Sequence, residues 1–385
     1  MAEPDLRRDM GNHSHDDGNG DGDRHPQRRS PRALLPLLGL WLGSGLVDRG
    51  WLLLDNRMPA WDQADYLNGA INYWALWNQT GIFSAAIAGQ NLARFSPDWW
   101  TQFWQLAPKI PPLTYLATLP FFQWFSPSAD AALGVQLLFS ALLLISVYGL
   151  ARCIFQPPRN HRIGLWAAAI CVLLPGLARL RLDYLLDYPL TASVAAAWWM
   201  LSLWQGSRGW RSWPWAGAAG LALGLAILVK QTALLFLLTP LLWIGITALG
   251  RWGRLLQGLV AVAVAGLTLW PWVAPNWLLI LTSSKRATVD SALKEGDPSL
   301  LSPEAWLYYL QQWPDQVGWL LLLTALLGLG LGLVTYGRQR RRRSPPAPPQ
   351  PPGPNCILTR SHRATSLRLH SHHSPYLPTS PPPHL

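Results

Sequence analysis

The stretch Leu113–Phe125, LTYLATLPFFQWF, decides how the chain is threaded. It is apolar but only 13 residues long, whereas a membrane-spanning helix needs about 20, in a range of roughly 17–25. That length predicts a surface or re-entrant helix and not a span. Outward from it, eight apolar runs read as spans: Ala33–Leu54, Ala131–Ala151, Gly164–Leu180, Tyr188–Trp204, Trp215–Val229, Thr232–Leu249, Leu255–Trp272 and Gln316–Tyr336. The fifth is short and can begin near Trp213. Basic residues test the threading. If Leu113–Phe125 stays on one side, four groups share a face with the polar N-terminus: Arg152, Arg159 and Arg162; Arg208 and Arg211; Arg251 and Arg254; and the run Arg338 to Arg343. If it crosses, the first three groups fall opposite the N-terminus. The positive-inside rule favours the first arrangement, with 157–162 cytoplasmic.

Composition agrees. Half of the 385 residues are apolar and only 13% are charged, the profile of a polytopic all-α membrane protein. Twenty-four Trp residues suit the headgroup region, where an aromatic ring is wet at one edge. The net charge of +11 reads as cytoplasmic loops and not as a nucleic-acid surface. Cys153, Cys171 and Cys356 form no CxxC pair, so neither a disulfide framework nor a zinc site is expected. Three regions follow: a disordered cytoplasmic 1–32, a membrane domain 33–336 and a disordered Arg/Pro-rich tail 337–385. The first apolar run ends in no small-x-small cleavage site and reads as a retained signal anchor. The His-rich order of 9–25 is low-complexity, and metal binding there is the lesser reading.

This threading sends two long loops to the outside. Asp55–Pro112 carries Asp62, Asp65, Asp98 and Lys109; Val273–Asp315 carries Lys285, Arg286, Asp290, Lys294, Glu295 and Asp297. Two short outside connections carry Arg179, Arg181, Asp183 and Asp187, and then Lys230. Charge beside lipid is costly, so these are functional candidates by default. In PAWDQADYLNGAINYW, Asp62 and Asp65 are three apart and share a face if helical. Either can serve as general base to a hydroxyl, or cap a helix. Lys109, before a Pro pair, can meet a lipid phosphate or snorkel to headgroups. In RLRLDYLLDYPLTA, Arg179 and Arg181 can pair with Asp183, Asp187 or a phosphate. Lys230, almost without a loop around it, can bind an anion or reach the interface. Asn78-Gln79-Thr80 is a sequon of the kind that recurs by chance, and no nucleotide-binding or metalloprotease motif is present.

The order of these elements resembles the GT-C superfamily, in particular glycosyltransferase family 39, with its protein O-mannosyltransferases and lipid A aminoarabinose transferases. Asp62 to Tyr66 matches a D-x-x-x-Y element, and Lys109-Ile-Pro-Pro-Leu loosely matches K/H-x-P-P-L. Leu185 to Leu190 matches L-x-D-x-P-L, and Lys230 follows the next hairpin. The resemblance runs from about Leu34 to Leu333. Gln63 departs from it, standing where the family often has Glu, and the Arg/Pro tail has no counterpart. The resemblance implies a GT-C bundle whose large first outside loop carries membrane-surface helices. It implies transfer from a polyprenyl-phosphate sugar, outside the cytoplasm, to a lipid, glycan or protein. Asp62 and Asp187 are its expected catalytic residues; Asp65, Tyr66, Lys109, Arg181 and Lys230 are expected to bind substrates. No cofactor is expected, and no sequence feature supports a divalent cation. Membrane lipids are the other expected partner. A lipid or sugar transporter would show internal repeats and midplane charge, and a scaffold would rely on the basic tail.

Overall fold

The computed structural model describes residues 34–55, 58–59, 61–78, 93–285, 296, 298 and 302–342. The His-rich segment, residues 79–80 of the sequon, most of the charged stretch 286–301 and the tail from 343 lie outside these residues. The described residues are helical, without a strand. The chain divides into two units, Met1–Ala325 and Leu326–Leu385; the architecture below is that of the first.

In chain order the helices are α1 (Leu34–Leu52), α2 (Asp62–Asn78), α3 (Pro97–Gln105), α4 (Leu113–Phe125), α5 (Ala129–Leu133) and α6 (Val135–Ile154). Then follow α7 (Asn160–Leu173), α8 (Pro175–Leu182), α9 (Asp187–Gly206), α10 (Ser212–Val229), α11 (Ala233–Ala248), α12 (Trp252–Lys285), α13 (Pro303–Val317) and α14 (Trp319–Arg342). Among the described residues four stretches are long and apolar enough to cross a membrane: Ala129–Ile154, Gly209–Val229, Trp252–Ser283 and Trp319–Arg338. The bent pair α7–α8 passes the same test when its two halves are taken together. This is a multi-pass membrane helix protein. The eight expected runs are helical over most of their length, but three fall short of that test. In α1, Asp48 and Arg49 dilute the run; α9 is diluted by Asp187, Gln205 and its Trp residues; α11 has only 16 residues. Within lipid every backbone amide needs a partner in its own segment, which is why such runs coil.

Several expected boundaries are corrected, among them Gln316–Tyr336, which is divided at Gly318 between α13 and α14, and the expected tail, whose residues 337–342 belong to α14. The run Gly164–Leu180 is not one straight span: α7 and α8 meet at 60°. Leu174, ahead of Pro175, takes φ −62°, ψ 118°, since a residue preceding proline is pushed out of the helical region. The run Leu255–Trp272 does not end there either. Helix α12 continues through Pro271 and Pro275 to Lys285, 34 residues in all, or about 50 Å. Its extra turns dock on the first loop: Trp272 Nε1 donates to Ala107 O at 2.9 Å and Asn276 Nδ2 to Trp104 O at 2.8 Å.

Helix α4 occupies the bounds expected of it, and at 13 residues it is about 20 Å long, too short to cross. It packs on α2, where Gly69 allows close approach: a Cβ there would stand 3.0 Å from Tyr115 Cζ. Ser96 caps α3 through a bond from Trp99 N at 3.2 Å, with Pro97 at the first helical position, where its missing N–H costs nothing. Trp99 then stacks on Phe103 with ring centroids 5.1 Å apart, and Tyr73 meets Phe103 edge to face. The first loop is thus an aromatic platform of α2, α3 and α4. Below it α9 packs against α6 and α10, and α10 against α12.

The two ends of the bundle differ in charge. Arg254, at the start of α12, donates to Trp204 O and Ser207 O, satisfying the orphan carbonyls that end α9. Arg152 and Arg211, in the last turns of α6 and the 3-10 turn Gly209–Arg211, join it at that end. The acidic residues Asp48, Asp62, Asp65, Asp130 and Asp187 sit at the opposite helix ends, with the platform.

Candidate functional site

Three helix termini meet beneath the platform. Asp187 opens α9 and Lys230 closes α10, so each charge sits where the helix dipole favours it. Lys230 Nζ donates to Asp187 Oδ1 at 2.7 Å. Their side chains are 30% and 43% exposed, so the pair remains reachable. An ammonium has three donors, and one bond to Asp187 leaves two for a ligand. The neighbouring Gln231 Nε2 donates to Lys109 O at 3.1 Å, which brings Lys109, itself exposed, beside this pair.

The third terminus is the start of α2. Asp62 and Asp65 lie in its first turn, both exposed, while Tyr66 is buried. Burial pushes the Tyr66 phenol up from 10.0 to about 12, and the negative charges of Asp62, Asp187 and Asp65 push it the same way. Tyr66 therefore stays protonated at working pH, a hydroxyl donor among carboxylates. That influence of Asp187 on Tyr66 joins the first loop to α9 across more than a hundred residues.

The segment presenting Asp187 is pinned from both sides. Thr118 Oγ1 of α4 bonds the Tyr184 hydroxyl at 2.8 Å. Gln136 Nε2 of α6 donates to Asp183 O at 3.0 Å. One turn on, Ser140 Oγ meets the Tyr188 hydroxyl at 2.9 Å. Of the partners open to Arg181, an internal salt bridge is the one formed, but with Asp48 of α1 and not with Asp183 or Asp187. Its Nε and Nη2 meet the two carboxylate oxygens at 2.7 and 3.0 Å, and the residue is 6% exposed. Of the seven expected site residues, Asp62, Asp65, Tyr66, Asp187 and Lys230 thus gather here, Lys109 adjoins them through its backbone carbonyl, and Arg181 is turned away to α1.

Among the described residues no three His, Cys, Asp or Glu side chains form a metal-ligand set. What the cluster offers is an exposed carboxylate pair, a neutral phenol and ammonium groups at a membrane surface. This suits a phosphate and a hydroxyl brought together.

A family model described as dolichyl-phosphate-mannose-protein mannosyltransferase matches residues 109–278. The match supports a GT-C glycosyltransferase and covers less than half of the chain. No curated protein and no solved structure matches the chain. The match starts at Lys109 and takes in Arg181, Asp187 and Lys230. Asp62, Asp65 and Tyr66 precede the matched segment and approach Asp187 through the fold.

Sequence reasoning missed several positioning residues. Asp48 stood within an apolar run, where an acid is itself a signal. Gln136 and Tyr184 carried no signal apart from their three-dimensional neighbours.

Proposed function

We propose that the protein transfers a sugar, mannose being the one the family match suggests, from a polyprenyl phosphate to a lipid, glycan or protein hydroxyl. The reaction takes place at the extracytoplasmic surface. The observation that carries this reading is the Lys230–Asp187 pair at 2.7 Å, set beside the carboxylates of Asp62 and Asp65 at one end of the bundle. The sidedness rests on the arginines at the other end.

The donor phosphate lies against Lys230 and Lys109. Asp187 positions the Lys230 ammonium, leaving its other N–H groups for phosphate oxygens. Asp62 takes the proton of the acceptor hydroxyl. The acceptor oxygen forms its bond to the anomeric carbon as the bond from that carbon to phosphate oxygen breaks. The electron pair leaves with polyprenyl phosphate, which needs no proton while fixed cations stabilise it. Attack opposite the leaving group inverts the anomeric centre. Tyr66, kept neutral, donates to a sugar or acceptor oxygen, and Asp65 orients that end of α2.

The test compares Asp62→Asn with Asp65→Asn in membranes supplied with radiolabelled polyprenyl-phosphate sugar. Loss of a general base lowers turnover by about 10²–10⁴-fold, so Asp62→Asn falls by that much with insertion unchanged, and Asp65→Asn falls less. An active Asp62→Asn beside a dead Asp65→Asn would exchange the two roles. Parent-like turnover from both would end the general-base assignment.

A further inference from the structure

The platform end of the bundle also holds a cavity of about 490 Å³ that the transfer reaction leaves unused. Its volume falls in the roughly 300–1,000 Å³ range of ligand sites. Helices α1, α4, α5 and α6 wall it. It opens above the crossing of α1 and α6, where Trp41 Nε1 donates to Leu137 O at 2.8 Å and a Cβ on Gly45 would lie 2.9 Å from Leu137 Cδ2. On the floor, Arg181 and Asp48 are paired with each other. At the rim, Arg49 Nη1 and Asp130 Oδ2 stand 3.8 Å apart with both side chains 55% exposed. That separation is too long for a hydrogen bond, so each rim charge keeps free bonding capacity. Between floor and rim the lining is mostly apolar, with Leu52, Phe121 and Leu137 beside Ser128 and Gln136. Beside it, Leu46 of α1 and Leu138 of α6 are exposed.

The four charged residues of the lining sum to zero, two arginines against two aspartates. An anionic lipid would meet Asp130 at the rim and find the floor arginine already paired. A zwitterion fits both rim charges at once. We propose that this cavity holds the headgroup of a membrane phospholipid bearing a primary ammonium, as in phosphatidylethanolamine. The phosphodiester accepts from Arg49, the ammonium donates to Asp130, and the acyl chains lie on the leucine surface of α1 and α6. A choline headgroup has the same charge but no N–H for Asp130. The assignment is independent of the sugar-transfer reading.

The experiment uses the purified full-length chain in detergent, titrated separately with phosphatidylethanolamine, phosphatidylcholine and phosphatidylglycerol, with bound lipids counted by native mass spectrometry. One phosphatidylethanolamine is expected to bind about tenfold more tightly than either other lipid, the equivalent of one charge-assisted hydrogen bond. Asp130→Asn removes the preference for ethanolamine over choline, whereas Arg49→Gln weakens all three. Equal binding of the three lipids by the parent overturns the proposal, as does an Asp130→Asn variant that keeps the full preference. The headgroup comparison on the parent needs no variant and decides by itself if a variant does not fold.

Discussion

Replacing Asp48 by Asn tests the least expected contact in the fold. Asp48 and Arg181 are 133 positions apart and joined by two bonds of 2.7 and 3.0 Å. Their side chains are 15% and 5% exposed. Arg181 Nη1 also donates to Val172 O at 3.3 Å, a carbonyl in the last turn of α7 that the break before Pro175 leaves short of partners. One guanidinium thus ties α1 to both halves of the bent span. Asp48→Asn keeps the volume and removes the charge, leaving a buried cation uncompensated. Breaking one side of a buried pair costs about 3–5 kcal/mol. At roughly 2 °C per kcal/mol for a chain of this size, the unfolding midpoint falls by about 6–10 °C. The double variant Asp48→Leu/Arg181→Met removes both charges, and apolar replacement of a buried pair is often neutral or stabilising. It is therefore expected to unfold above either single variant. Thermal unfolding of the detergent-purified proteins, followed by size-exclusion chromatography, supplies the cycle. An Asp48→Asn variant that melts with the parent would refute the reasoning, as would a double variant less stable than both singles.

Gly220→Ala is expected to cost about 1–3 kcal/mol by overpacking, because a Cβ there overlaps the Ala261 carbonyl of α12; Gly217→Ala, with open space around it, is expected to leave the same melting measurement unchanged. For Tyr66 the sign follows from a phenol raised from 10.0 to about 12. The folded protein binds that proton more tightly than the unfolded chain, so the contribution to stability is complete below pH 10 and is lost as pH climbs through 12. The phenolate absorbance missing from Tyr66→Phe should accordingly appear near pH 12, and its appearance near pH 10 would deny the burial beside Asp62 and Asp187.

Much of this arrangement was legible in the residues. A 13-residue apolar run cannot span a bilayer, so Leu113–Phe125 was readable as a short helix with its bounds intact. Its Thr118 then anchors the segment that presents Asp187. Proline acts differently at different positions. Pro175 does break a span, since Leu174 cannot remain helical ahead of it. Pro271 and Pro275 do not end α12, because that helix continues by packing on Trp104 and Ala107 of a loop some 165 residues earlier. The charge partners could not be read at all. Lys230 and Asp187 are 43 positions apart and Arg181 and Asp48 are 133. No local pattern distinguishes a lysine that snorkels from one that meets an aspartate at a helix start.

Sugar transfer by the purified full-length protein in proteoliposomes tests the central claim most directly. The donors are radiolabelled mannose on a polyprenyl phosphate and, separately, mannose on a nucleotide. Transfer is expected from the polyprenyl phosphate alone, and Lys230→Gln should lose it while inserting as the parent does. A parent that transfers nothing from the polyprenyl phosphate, or works equally well from the nucleotide sugar, would contradict the account.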